Sequence, residues 1–365
     1  MTETIDRDSA SPSIGGKATI RVGIIGAAGY VGGELVRLLE RHPRVRIAGL
    51  QGRERDAEPI GVAHPQLART GHRIDSSLPA VDAVFLALPH GASAAVVPDL
   101  IEQGVRVIDL GADYRLRDPS DYERWYGFEH PAPELLARAV YGLPEQHRDE
   151  LVALQDADVT IVGSPGCYPT TSLLGLYPLA RAGLIADVVV DAKSGVSGAG
   201  RAPKPDFMYA EVNDSVRAYG ISGHRHASEL MQEIAAAGST PDANPGAAGV
   251  GFLPHLVPMT RGILAASHVR PTRDIDAAEL LQLYEDAYAD EYFVEYVDRP
   301  PATSQVVGSN FARVHAHLDA RTGRITVVSV TDNLVKGAAG QAVQAFNIVF
   351  DLPEPSGLEQ LPLSP

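Results

Sequence analysis

An apolar run at residues 19–25 breaks into Gly26-Ala27-Ala28-Gly29-Tyr30-Val31-Gly32 and then into an amphipathic stretch. No other feature restricts the fold as much. The run reads as a strand. In residues 34–41, Leu35, Leu38 and Leu39 share one helical face with charges opposite, which reads as a helix. Strand, glycine turn and helix in that order open a parallel α/β unit. The alternation continues with strands at 45–50, 81–88, 106–110 and 159–162 and a helix at 93–103. The 81–88 run is almost wholly apolar, as a strand covered on both faces requires. A doubly wound, mostly parallel Rossmann-type sheet is expected for the first half.

The second half has a different texture. Strands are expected at 188–193, 250–253, 262–269, 311–318 and 325–330, some separated by short turns such as Arg321-Thr322-Gly323. Mostly antiparallel or mixed pairing follows. Helices fit 227–237, 277–288 and 333–350. The chain of 365 residues is long enough for two domains, and we place the change near Gly166. Clefts between lobes are where small-molecule sites form.

Composition narrows the function. A net charge of −15 argues against nucleic acid as a partner, because phosphate binding needs a clustered positive surface. No run reaches the roughly 18 apolar residues of a membrane span. A single cysteine excludes an internal disulfide and fits a reducing cytoplasm. Residues 1–17 are polar and read as a disordered tail, and the proline-rich residues 353–365 as a tail or surface strap.

The glycine turn is a G-x-x-G-x-x-G variant of the dinucleotide fingerprint, with small residues letting the backbone approach a pyrophosphate at the helix N-terminus. A plain tight turn would look alike, but the position after the first strand favours a nucleotide. NAD sites place an acidic residue about 20 residues on, at the end of the second strand. Here that strand runs into Gln51-Gly52-Arg53-Glu54-Arg55, and Arg53 suits a 2′-phosphate, so NADP is expected.

The lone cysteine, Cys167, lies in Gly163-Ser164-Pro165-Gly166-Cys167-Tyr168-Pro169-Thr170, between a predicted strand and a predicted helix. Unpaired amides and the helix dipole there favour a thiolate, the nucleophilic form. Elsewhere a lone cysteine is commonly a small buried hydrophobe. His224 and His226, just before a predicted helix, are candidates for the acid/base group, and residue chemistry alone does not choose between them. The other histidines, His64 and His255 included, lack a constellation.

These motifs together resemble the N-acetyl-γ-glutamyl-phosphate reductases, the arginine-biosynthesis branch of the aspartate-semialdehyde dehydrogenase-like enzymes. The resemblance is carried by residues 22–39, Asp109-Leu110-Gly111-Ala112-Asp113-Tyr114-Arg115-Leu116, Tyr141-Gly142-Leu143-Pro144-Glu145, and Pro165 through Thr170. It continues through Ser194-Gly195-Val196-Ser197-Gly198-Ala199-Gly200-Arg201, His224-Arg225-His226, Arg261-Gly262-Ile263-Leu264 and Thr331-Asp332-Asn333-Leu334-Val335-Lys336-Gly337. Two departures stand out: Ser164 where the family often has Asn, and Ser228 where it often has Pro.

The resemblance implies a glyceraldehyde-3-phosphate dehydrogenase-like second domain over 167–332, and a nucleotide domain of 18–166 to which 333–365 returns. It implies that Cys167 attacks an acyl phosphate to give a thioester, which NADPH reduces to the semialdehyde. His224 would be the acid/base and His226 a substrate contact. Arg115, Glu211 and Arg261 would hold the substrate's polar groups. The cofactor set would be Gly26, Ala28, Gly29, Tyr30, Val31, Gly32, Arg53, Leu88, Pro89, Ser197, Gly198, Asn333 and Lys336. A homodimer or homotetramer, and no metal, would be expected. The rivals are aspartate-semialdehyde dehydrogenase, the lysine-pathway enzyme acting on a carrier-bound acyl phosphate, and a non-catalytic NADP-binding regulator. Cys-Tyr-Pro-Thr and His-Arg-His favour the acetylglutamyl branch.

Overall fold

The computed structural model describes residues 19–238 and 249–363, so the N-terminal tail lies outside the described residues. Two seven-stranded sheets organise the chain. The first contains β1 (Ile20–Ile25), β2 (Val45–Gln51), β3 (Ile74–Asp75), β4 (Ala83–Leu86), β5 (Arg106–Asp109), β6 (Ala139–Tyr141) and β7 (Ile161–Gly163). Their order is β3-β2-β1-β4-β5-β7-β6, with every pairing parallel. The winding reverses between β1 and β4, and ligands of such sheets bind at the carboxyl ends of strands beside that switch. All four residues of β4 are buried, which explains its unbroken apolar sequence. The edge strands β3 and β6 are too short to have left a pattern.

Helix α1 (Tyr30–Leu39) starts earlier than its leucines suggested and takes in Gly32 and Gly33. Glycine is needed there for proximity: a Cβ on Gly32 would stand 2.5 Å from the Gly26 carbonyl oxygen. After β4, α2 (Ser93–Glu102) is capped from a distance. The Asp113 carboxylate accepts from the amides of Gly91 at 2.8 Å and Ala94 at 2.9 Å. α3 (Pro144–Ala153) follows β6 and faces the second lobe.

The second sheet has β8 (Ile185–Gly195), β9 (Arg217–Ala218), β10 (Gly249–Val257), β11 (Ile263–Pro271), β12 (Val294–Tyr296), β13 (Ala312–Asp319) and β14 (Arg324–Thr331). The order is β12-β13-β14-β11-β8-β10-β9. The sheet is mixed: β8–β10 and β12–β13 are parallel, the other pairs antiparallel. β8 and β10 run parallel because α5 (His226–Ala237) lies between them in the chain. α4 (Cys167–Arg181) and α6 (Ala277–Tyr288) contribute Leu173, Leu176, Leu280 and Tyr284 to the core on its inner face.

The last segment is not one α-helix as its pattern suggested. A π-helical turn at Val335–Ala339 precedes α7 (Gly340–Val349). Val335, Val343 and Phe346 join the core of the first sheet with Val22, Leu35 and Phe85. The proline-rich end is a strap: Leu358 is fully buried, and Asn347 donates to the carbonyls of Glu354 and Ser356.

Candidate active site

The residues of the Cys167 turn are held from behind by a buried ion pair that the sequence did not disclose. Cys167 is the first residue of α4, and the amide of Gly166 before it donates to Glu229 at 2.9 Å. Glu229 also accepts from the Tyr141 hydroxyl at 2.8 Å and pairs with Arg115 at 3.2 Å. Arg115 gives its remaining nitrogens to the carbonyls of Ser164 at 2.7 Å and Leu110 at 2.9 Å. Three residues past His226, Glu229 lies on the same face of α5. That spacing was readable, but its burial was not. Arg115, expected on the substrate, is thus spent on fixing the turn. Ser164, where the family often has Asn, is buried, and its hydroxyl has no partner among the described residues.

Cys167 lines a cavity of about 340 Å³ together with His224, Arg225, His226, Tyr168 and Tyr219. Burial pushes its thiol up to about 11, against Arg115 and the amides of Tyr168 and Cys167, which lower it. The expected thiolate is therefore not favoured by the site alone. Desolvation outweighs the helix N-terminus. A base must take the proton.

The histidines differ in what they can do. His224 Nδ1 accepts from the amide of His226 at 3.1 Å, so its remaining nitrogen carries the hydrogen in the neutral ring. Burial and Arg225 lower its pKa to about 4. His224 is thus a neutral hydrogen-bond donor into the cavity. His226 packs on the cysteine turn itself, its Nε2 standing 2.5 Å from where a Cβ on Gly166 would be. Its Nδ1 is buried without a partner among the described residues, and burial lowers its pKa well below normal. Of the two rings, His226 lies against the glycine that precedes the cysteine, and both line its cavity.

A larger cavity of about 830 Å³ runs from Tyr30 past Ser197 and Gly200 to Leu334. Lys204 and Phe207 line both cavities, so the two adjoin. At the glycine turn, Gly26 has φ +92°, and a Cβ there would overlap the Ala87 carbonyl. Gly29 is different: a Cβ on it would meet nothing closer than 3.5 Å, so packing does not require glycine. What its smallness does is leave the first amides of α1 open, which fits a pyrophosphate. Ala28 and Val31 are half-buried on the same turn. The Ala28 carbonyl accepts from Arg201 at 3.0 Å, a link between lobes that the sequence did not suggest. His64 supports the turn through Ala27 at 3.1 Å. Leu88 and Pro89 follow β4 at its carboxyl end, and Gly198 lines the smaller cavity. Asn333 donates to Ser197 at 2.9 Å and accepts from Gly262, fixing the 194–200 loop. Arg53 is exposed just beyond β2 and pairs with Asp56 at 2.7 Å.

Three residues expected at the ligands are engaged by protein groups or stand to one side of the cysteine cavity. Lys336 is fully buried and bound to Glu145 at 2.5 Å and Gln344 at 2.6 Å, out of reach of a cofactor. Arg261 is held by Glu34 of α1 and by Asp332, clamping the lobes, and lines the larger cavity, not the cysteine cavity. Glu211 is exposed in a small hollow beside Asp206 and Arg217, one step away from that cavity.

Two family models match the chain, one in each half. Residues 21–154 match the family described as semialdehyde dehydrogenase, NAD binding domain, and residues 167–333 its dimerisation domain. N-acetyl-gamma-glutamyl-phosphate reductases from Geobacter metallireducens and Halorhodospira halophila are 45% and 46% identical, each match covering 95% of this chain and 100% of the relative. The chain belongs to the N-acetyl-γ-glutamyl-phosphate reductase family. As a member of it, the protein is a nicotinamide-dependent oxidoreductase of the semialdehyde dehydrogenase type. Among solved structures, aspartate semialdehyde dehydrogenase II of Vibrio cholerae superposes with a TM-score of 0.69 at 19% identity, covering 92% of this chain and 99% of that one. The Candida albicans aspartate semialdehyde dehydrogenase with NADP gives 0.63 at 17% identity, covering 91% and 98%. At such identities the likeness is one of fold.

Proposed function

We propose that this protein reduces N-acetyl-L-glutamyl 5-phosphate with NADPH to N-acetyl-L-glutamate 5-semialdehyde and phosphate, a step of arginine biosynthesis. The observation that carries the reading is Cys167 at a helix start, sharing one cavity with two histidines and adjoining a second cavity that reaches the glycine turn. His226 takes the thiol proton as sulfur attacks the acyl carbon, and a thioester on Cys167 forms as phosphate leaves. His224, a donor in its neutral form, steadies the acyl oxygen, with the α4 amides as further donors. When bound, the reduced nicotinamide supplies the hydride that takes the acyl group to the aldehyde level. The protonated His226 then returns its proton as the hemithioacetal collapses. Gly26, Ala28, Gly29, Tyr30, Val31 and Gly32 would hold the pyrophosphate side. Leu88, Pro89, Ser197, Gly198 and Asn333 would border the nicotinamide. Arg53 would exchange Asp56 for a 2′-phosphate, which favours NADP.

The cytoplasm is the compartment that fits a free reactive thiol. Among the described residues no helix is long and apolar enough to cross a membrane. Two copies would meet through the open face of the second sheet. The assay is direct. NADPH should be oxidised with N-acetylglutamyl phosphate, or NADP reduced with the semialdehyde and inorganic phosphate. Activity with aspartate semialdehyde in their place would overturn the substrate assignment.

A further inference from the structure

Cys167 and its histidines share their cavity with three cations, and these differ in what holds them. Arg217 is paired with Asp206 at 3.4 Å, and Lys204 lies 5.7 Å over the ring of Phe207. The guanidinium of Arg225 has no hydrogen bond or ion pair among the described residues. Desolvation and the charge of Arg115 both weigh against its protonated form, although Tyr126 and Glu229 partly compensate. An unpaired cation in such a place calls for an anion. A second group points the same way. The Tyr126 hydroxyl, electrostatically coupled to Arg225, is buried and has no partner among the described residues. His90 stands 5.5 Å from the Tyr126 ring, and desolvation with Arg225 and Arg115 holds it neutral, its pKa near 3.

Resting on the acyl-phosphate reading above, we propose that Arg225 and the Tyr126 hydroxyl receive the substrate's phosphate group and hold it as it departs. The substrate has a second anion, its α-carboxylate, and position separates the two. Arg225 lines the cavity with Cys167 and feels the charge of Arg115, which holds the cysteine turn, so it serves the reacting end. Arg217 and Asp206 extend the cavity toward Glu211, the far end. As the sulfur–carbon bond forms, the carbon–oxygen bond to phosphate breaks and its electron pair stays on the phosphate oxygen. The thiol proton goes to His226, and Arg225 offsets the charge of the leaving group.

The reverse reaction tests this, because there phosphate and carboxylate arrive on different molecules. With NADP, the semialdehyde and inorganic phosphate, Arg225→Met is expected to raise KM for phosphate about tenfold or more, leaving KM for the semialdehyde within about twofold. Arg225→Lys restores part of the loss, and Tyr126→Phe raises KM for phosphate about threefold. NADPH affinity, read by fluorescence titration, stays at the wild-type value and reports an intact fold. Should Arg225→Met lose it, the lysine and phenylalanine variants carry the test. An unchanged KM for phosphate overturns the proposal, and so does a rise confined to the semialdehyde, which would assign Arg225 to the carboxylate. A wild-type enzyme without phosphate-dependent turnover would instead sink the underlying reading.

Discussion

At Cys167 burial raises the thiol while Arg115 and two backbone amides lower it, and burial prevails. Reactivity should therefore not level off at neutral pH. The rate of iodoacetamide alkylation is expected to keep climbing past about pH 9, and a plateau below about pH 8 would contradict a raised thiol. The same shift has a stability consequence. The folded thiol, near 11, lies above its ordinary value of 9.0, so this contribution is intact below pH 9 and is lost as pH rises toward 11. Cys167→Ser should remove that part of the alkaline decline, and should abolish turnover while keeping NADPH binding. The histidines should separate kinetically. His226→Gln removes the base and should cost about 10²-fold or more in kcat. His224→Gln keeps a donor and should cost about tenfold or less. Steady-state kinetics with alkylation rates decide between them, and equal losses in both variants would undo the assignment.

Two elements depend on how closely backbone approaches backbone. Gly32→Ala would drive a methyl group toward the Gly26 carbonyl and the Ala27 backbone, where nothing can rotate away. It should lose about 2 kcal/mol or more in denaturant unfolding. Gly29→Ala has room and an ordinary φ of −76°, so stability should change by less than about 1 kcal/mol. Its cost should appear in NADPH affinity instead, because the methyl group occupies the approach to the α1 amides. Equal effects of the two changes on stability would sink this distinction. Behind Cys167, α5 and the turn that follows β7 are joined through Glu229 and Arg115. Glu229→Ala leaves a buried guanidinium unpaired and should cost about 3 kcal/mol. Because the Gly166 amide also loses its acceptor, the loss in kcat should exceed that of a mutation equally destabilising but distant from the turn.

At the scale of the molecule, the centre of the parallel first sheet was legible because β1, β2, β4, β5 and β7 sit in apolar runs with glycine at the turns after them, whereas the short edge strands were not. Sequence also marked Cys167, the His-Arg-His segment and the glycine turn as the chemistry-bearing parts. What it could not tell was which cations are already satisfied. Arg115, Arg261 and Lys336 were drawn to the ligands by their motifs, yet each finds a buried carboxylate far away in the chain. Such pairings depend on tertiary proximity, which has no local signature. The outer face of the second sheet presents a related problem. Gly251, Val189, His268, Thr326 and His317 form one register row across β10, β8, β11, β14 and β13. None is an acid, lysine or arginine, and Val189 is 47% exposed between two buried valines. A neighbouring row holds Leu253, Asp191, Ala266, Val328 and His315, with Asp191 paired to Lys193 on the same strand. A sheet face that exposes Val189 and pairs Asp187 and Asp191 with its own Arg270 and Lys193 would be covered by a second copy of the same face with two-fold symmetry. Val189→Asp would then place two like charges close to the axis. Sedimentation velocity should show the wild type as a dimer or larger at micromolar concentration, and the variant shifted toward monomer. A wild type that sediments as a monomer throughout, or a variant with unchanged assembly, would remove this face from the interface.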